Sequence, residues 1–215
     1  MSDRYNTAGD PQGEYEPGSD NQVLRNSRSI TDLEEIEGEE YDALIQLELQ
    51  LFDEITIDKQ ITAEDLCVWH RLWLGNIYDW AGDYRTVNIS KDDFVFAAAH
   101  LIPKLMQEFE EKYLASYTPC HEMTQDQLID AMALCHIEFI IIHPFREGNG
   151  RLGRVLATIM ALQADMPLLD FTALEQDKVH YIQAIHAGHA GDYKPMKFIF
   201  SKILEFSLRH HIDQE

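Results

Sequence analysis

The chain has 215 residues, 45% of them hydrophobic, which is enough for one domain with a real core, or one domain plus a tail. A formal net charge of −21 repels phosphate backbones, which argues against general nucleic-acid binding and makes any local basic cluster stand out. Its three cysteines, Cys67, Cys120 and Cys135, form no CxxC pair and no even set, so neither a zinc ribbon nor a disulfide framework is indicated; buried or idle thiols in a reducing compartment are expected.

The opening stretch MSDRYNTAGDPQGEYEPG has no apolar core and does not read as a secretory signal. Residues 1–25 are polar and aperiodic, and a flexible lead-in is expected there, with the folded domain over 26–212. From Thr31 the period becomes helical, with Leu33, Ile36, Leu44, Ile45, Phe52 and Ile55 near one stripe. Thr62 can cap a second helix whose apolar side carries Leu66, Trp69 and Trp73 and which stops near Gly75. Between Trp80 and Ala97 the pattern changes. Val87 and Ile89 alternate with polar residues, as do Phe94 and Phe96, and SKDD between them is turn-like, which predicts a short hairpin.

Helical period returns at Ile102, Leu105, Met106, Phe109 and Tyr113. Thr124 and Gln127 form a capping box before a helix with Leu128, Ala131, Met132, Cys135, Phe139 and Ile142 on its apolar side. Leu152, Val155, Leu156, Ile159 and Met160 begin the next buried helix. Two more are predicted, around 173–188 and from Pro195 to about His210, the proline suiting a first turn. The fold class is therefore all-α with one small β-hairpin. The longest apolar run, FIII at 139–142, is far too short to span a membrane, and a cytoplasmic protein is expected.

The polar turn HPFREGNGRLGR, His143 to Arg154, lies between two apolar helices. Gly148, Asn149 and Gly150 fall at the new helix's N-terminus, where free N–H groups and the helix dipole make an anion site. Arg151 and Arg154 leave the first turn on neighbouring faces, which suits a polyphosphate better than one carboxylate. Glu147 is out of place beside an anion unless it holds a cation, and one carboxylate plus substrate phosphates is a usual Mg²⁺ environment. His143 can take a proton near neutral pH. A base, a metal ligand and a phosphate cradle together describe transfer of part of a nucleotide to a hydroxyl. The GxxxxGK[ST] pattern of a P-loop is absent.

The same turn resembles the Fic signature HxFx[DE]GNGRxxR, with every fixed position filled. VLRNSRSITDLEEIE at 23–37 resembles the N-terminal segment of Fic proteins of the cell-filamentation type, and YDWAGDYRTVNISKDDFVFA resembles the stretch carrying their flap hairpin. The likeness spans about residues 20–205, with the flap near 84–97. It implies a protein adenylyltransferase that moves AMP from ATP to a Ser, Thr or Tyr hydroxyl of a target protein. By position, it implies His143 as the base and Phe145 as a buried anchor. Glu147 would hold Mg²⁺; Gly148, Asn149 and Gly150 would bind the α-phosphate and stabilise charge there; Arg151 and Arg154 would hold the distal phosphates. Thr86, Val87, Asn88, Ile89, Ser90, Lys91, Phe94 and Phe96 of the flap would dock the target by strand addition. Arg146 occupies a variable position and receives no role.

The intact GNGR favours AMP transfer over the phosphotransfer of the related death-on-curing proteins, which alter this stretch. A catalytically silent nucleotide-binding partner protein is the other alternative reading. Many Fic proteins carry an inhibitory helix of pattern [ST]xxxE[GN]. Here Glu37-Gly38 supplies only its end, since Leu33 stands where Ser or Thr belongs. The resemblance therefore implies a small separate antitoxin protein supplying the inhibitory glutamate, with Glu37 as the internal alternative. His136, without a third ligand at useful spacing, reads as a core histidine, and Trp69, Trp73 and Trp80 as core aromatics. Tyr181 and Tyr193 could line an adenine pocket or pack in the core.

Overall fold

The computed structural model describes residues 11–91, 94–172 and 177–212. In chain order these form α1 (Leu33–Glu54), α2 (Ala63–Leu74), the hairpin strands β1 (Ser90–Lys91) and β2 (Phe94–Val95), and α3 (Ile102–Phe109). A π turn (Glu110–Leu114), α4 (Ala115–Tyr117), α5 (Gln125–Ile142), α6 (Asn149–Gln163), α7 (Lys178–His189) and α8 (Lys194–Ile212) follow. Among the described residues the fold is all-α with one two-stranded antiparallel hairpin, as the periodicities predict. It divides into two compact units.

The first unit comprises Met1–Glu54, Ala63–Gln107 and Ile142–Leu152. The buried stripe of α1 is Ile36, Glu40, Leu44, Leu47 and Leu51. Leu33, expected on it, is 40% exposed, and Phe52 is only half-buried. The prediction was displaced because a stripe drawn through apolar residues alone cannot include Glu40. α1 packs against α2, which turns Leu66, Trp69 and Trp73 inward and ends at Leu74. The indole N–H of Trp73 donates to the Glu40 carbonyl at 2.7 Å.

Residues 12–25 do not behave as a loose lead-in. Tyr15 and Leu24 form an antiparallel bridge, Glu16 N–H donates to Val23 O at 2.9 Å, and Val23 is buried. The Gly, Asn and Asp content read as disorder instead serves tight turns, with Asp20 and Asn21 at φ of 52° and 59°. Residues 1–10 of the expected lead-in lie outside the described residues.

The hairpin pairs Ser90 with Val95 and Lys91 with Phe94, and Phe96 N–H donates to Ile89 O at 3.2 Å. Val87 and Ile89 are buried while Thr86, Asn88 and Ser90 are exposed, the alternation of a half-buried strand. Asp92 and Asp93 of the expected turn lie outside the described residues.

The second unit comprises Ile55–Thr62, Glu108–Ile141 and Gly153–Glu215. The capping box forms as expected: Thr124 N–H donates to Gln127 Oε1 at 2.9 Å, and Gln127 N–H to Thr124 Oγ1 at 3.4 Å. α5 is buried beyond its predicted side, since Ala133, His136 and Ile137 are also inside, as befits a helix at the centre of a core. α7 packs on α8, whose Met196, Phe200, Ile203 and Leu204 are buried. The predicted start of α7 at 173 falls among residues outside the described set. All three cysteines are free and buried, and burial pushes the Cys120 thiol up to about 12, which keeps it an unreactive thiol.

Candidate active site

α5 ends at Ile142 and delivers His143 in the left-handed region, φ 53°. That is the position after a helix where Gly or Asn is usually found. A histidine there costs roughly 1–2 kcal/mol of backbone strain, so the surroundings must hold it. Arg85 does so. Its Nε donates to His143 O at 2.7 Å, Nη1 to Val87 O at 2.6 Å, and Nη2 to Ile142 O at 3.3 Å and to Ala97 O. Its own N–H donates to Pro144 O at 2.8 Å. The guanidinium is buried, and the negative end of the α5 dipole at Ile142 and His143 offsets its charge. One side chain thus ties the end of α5 to both ends of the hairpin. The half-buried His143 ring stacks on Phe96, centroids 3.8 Å apart and planes 22° apart, and Phe94 meets Phe96 edge-on.

The loop is closed on itself by Asn149, which is buried. Its Oδ1 accepts from Phe145 N–H at 2.9 Å and its Nδ2 donates to Phe145 O at 2.8 Å. The side chain expected to contact phosphate is therefore engaged in shaping the turn. Phe145 is fully buried and stacks on His70 at 4.0 Å and 9°. His70 Nδ1 accepts from Gly82 N–H at 2.8 Å, which leaves the ring proton on Nε2 to donate to Glu147 O at 3.1 Å. Arg146, given no role from sequence, is buried and donates to the Gln12 carbonyl, while Gln12 Oε1 accepts from Thr86 N–H at 2.9 Å. The ordered N-terminal segment thus braces both the loop and the flap.

Glu147 is the exposed carboxylate of the loop, its side chain 41% accessible. Its Oε1 accepts from Gly148 N–H at 3.0 Å and lies 3.6 Å from Arg151 Nη2. The Gly148 amide, expected on phosphate, is directed to that carboxylate. Gly148 has φ 81°, and a Cβ there would stand 2.6 Å from the Trp73 ring. Gly148→Ala is therefore expected to lower stability by about 2–5 kcal/mol through strain and overpacking. The check is a urea midpoint shift at unchanged slope; a wild-type midpoint would contradict it.

α6 begins at Asn149 and presents the unsatisfied N–H groups of its first turn beside the exposed Gly150. Arg151, with a quarter of its side chain accessible, pairs with Glu40 Oε2 at 2.7 Å and lies over the Trp73 ring at 4.7 Å. Arg154, one turn further along α6, belongs to the second unit and lies 6.0 Å from the Phe171 ring. Sequence reasoning missed Arg85, His70 and Glu40. Glu37, weighed as an internal brake, is exposed, and the α1 carboxylate that reaches Arg151 is Glu40, three residues on.

In the second unit His136 is buried and meets Tyr181 Oη at 2.7 Å, and Tyr193 donates to Glu138 at 2.5 Å, so both half-buried tyrosines are engaged in side-chain hydrogen bonds. Among the described residues no group of three His, Cys, Asp or Glu could hold a metal ion. Burial lowers both His70 and His136 to about 4. Between pH 6.5 and 4 the unfolded chain takes up protons that these two refuse when folded, so stability falls as pH falls. The loss by pH 5 is about 2 kcal/mol per histidine. Urea midpoints at pH 7 and pH 5 test this: His136→Gln should show the smaller drop, and an equal drop would exclude the contribution.

Residues 60–161 match the model of the Fic/DOC family. The probable protein adenylyltransferase Fic of Salmonella typhimurium (strain LT2) is 32% identical over 145 residues, 65% of this chain and 68% of that protein. A protein of the same description from Escherichia coli (strain K12) is 28% identical over 212 residues, 95% of this chain and 96% of its own. Among solved structures, the BepC protein of Bartonella tribocorum with bound AMPPNP has a TM-score of 0.71 over 89% of this chain and 96% of that one, at 22% identity, a likeness of fold. The filled signature at 143–154, its loop geometry and the Salmonella relative lead to one conclusion: this chain belongs to the Fic/DOC family.

Proposed function

We propose that this protein is an adenylyltransferase that moves AMP from ATP to a Ser, Thr or Tyr hydroxyl of a target protein and releases pyrophosphate. The observation that carries the reading is the junction of α5 and α6. An imidazole held at the end of one helix is followed six residues later by the N–H groups and arginine of the next. The relatives named above as probable protein adenylyltransferases support the same reaction.

His143 accepts the proton of the target hydroxyl as its oxygen attacks the α-phosphorus. The bond from that phosphorus to the bridging oxygen breaks, and pyrophosphate leaves. The N–H groups opening α6 stabilise charge gathering on the α-phosphate oxygens. Arg151, and Arg154 further along α6, bind the distal phosphates. Asn149 acts through the loop it closes. Glu147, the accessible carboxylate of the loop, fits the role of magnesium ligand, and the ion would neutralise phosphate charge when bound. The hairpin, with Val87 and Ile89 buried beneath it, offers the target a backbone edge. We assign the protein the role of toxin in a toxin–antitoxin pair, acting in the cytoplasm and restrained by a small partner supplying a glutamate. Among the described residues no helix is long and apolar enough to cross a membrane.

Incubation with ATP labelled at the α or the γ phosphorus in a cell extract tests the reaction. Protein labelled from the α position alone is expected. Label from the γ position alone would assign it to phosphotransfer, and binding without label would make it a silent nucleotide binder.

A further inference from the structure

We infer that Glu40 is a positioning residue that sets the Arg151 guanidinium for the distal phosphates of the nucleotide. The inference rests on the reading above that Arg151 binds those phosphates.

Glu40 sits in the middle of α1, where a helix of this kind would bury an apolar residue, and it is buried. Each part of it has a partner. Oε2 accepts from Arg151 Nη2 at 2.7 Å, Oε1 accepts from Tyr78 Oη at 2.6 Å, and its backbone carbonyl accepts from Trp73 Nε1 at 2.7 Å. The Trp73 ring then lies beneath the Arg151 guanidinium and beside Gly148. Carboxylate and indole thus fix the guanidinium from two directions, and a quarter of the arginine side chain stays accessible. Tyr78 remains a donor at working pH, because burial and the adjacent Glu40 both raise its pKa.

A carboxylate so near a phosphate site would repel the ligand if it were free to swing. Two features prevent that. Arg151 engages one oxygen and Tyr78 the other, and separating a buried ion pair strands an unpaired charge, which is far costlier than parting an exposed one. The pair therefore persists when nucleotide binds. Arginine has five N–H donors in a fixed fork, so one committed to Glu40 leaves four more for a ligand that reaches the accessible part of the side chain. Glu147, whose side chain is 41% accessible and whose Oε1 accepts from Gly148 N–H, stands farther from the same nitrogen, at 3.6 Å.

Binding of MgATP and of AMP to wild type, Glu40→Gln and Tyr78→Phe, followed by calorimetry, tests this. Glu40→Gln should raise the Kd for ATP about tenfold, as loss of a charge-assisted bond implies, and leave the Kd for AMP unchanged. KM for ATP should rise in step while kcat holds. Tyr78→Phe should move the same quantities in the same direction by less. In an Arg151→Gln background, Glu40→Gln should add nothing. Equal losses for ATP and AMP would make Glu40 merely structural and overturn the proposal. Faster transfer by Glu40→Gln would make it a brake and overturn it too. A wild type that binds ATP no tighter than AMP would overturn the phosphate assignment of Arg151 itself. A wild type that prefers ATP, with the preference intact in Glu40→Gln, would overturn only the role of Glu40.

Discussion

His143→Ala is expected to lower the transfer rate by about 10²–10⁴-fold, the usual contribution of a positioned general base, while ATP affinity is retained. The expectation follows from geometry. The ring is half-buried, stacks on Phe96, and stands where α5 ends, so its removal takes away a proton acceptor and leaves the N–H groups of α6 in place. The backbone adds a second expectation. At φ 53° the histidine is strained, so His143→Gly should be as inactive as the alanine variant yet more stable than wild type by about 1 kcal/mol. Initial rates at saturating ATP and urea midpoints measure the two effects. A glycine variant less stable than wild type would mean that the stack on Phe96 outweighs the strain. Transfer at the wild-type rate in either variant would remove His143 as the base.

Arg85→Ala is expected to have the largest effect on stability, about 3–5 kcal/mol. It removes the donors of four carbonyls, those of Ile142, His143, Val87 and Ala97, and partly buried carbonyls left without partners cost about 1 kcal/mol or more each. For a chain of this size that corresponds to a fall in Tm of about 10 °C. Transfer should fail as well, because both the left-handed turn at His143 and the two ends of the hairpin depend on the same guanidinium. Arg85→Lys keeps the charge but not the planar fork, so it should recover part of the stability and little of the activity. Thermal melting, with limited proteolysis at 87–97, reads both consequences. A wild-type Tm in Arg85→Ala would show that the loop and the hairpin hold themselves.

The helices were legible because their signals are local. The 3.6-residue period, the Thr124–Gln127 box and the proline near the start of α8 each act within one element. The polar turn was legible for a related reason: an imidazole, a carboxylate, glycines and arginines at a helix start admit few chemistries. What the sequence concealed is what depends on distant partners. Arg85 stands 58 residues before the carbonyl it pins, and His70 stands 77 before the one it supports. Nothing in their own neighbourhoods marks them as different from surface polar residues. Glu40 was hidden by the rule that found its helix, since a charge on an apolar stripe reads as the stripe's edge. Asn149 and the Gly148 amide were assigned to ligand by their place in the turn, while the fold directs them to Phe145 and Glu147. Residues 12–25 show that a composition typical of disorder can equally build turns once a buried Val23 anchors them.

The most direct measurement of the central claim is the mass added to protein hydroxyl side chains in an extract incubated with the wild-type chain and MgATP, compared with the His143→Ala chain. An AMP moiety on Ser, Thr or Tyr in the first sample and absent from the second is the predicted result. A bare phosphate on those residues, or the same AMP adducts in both samples, would contradict it.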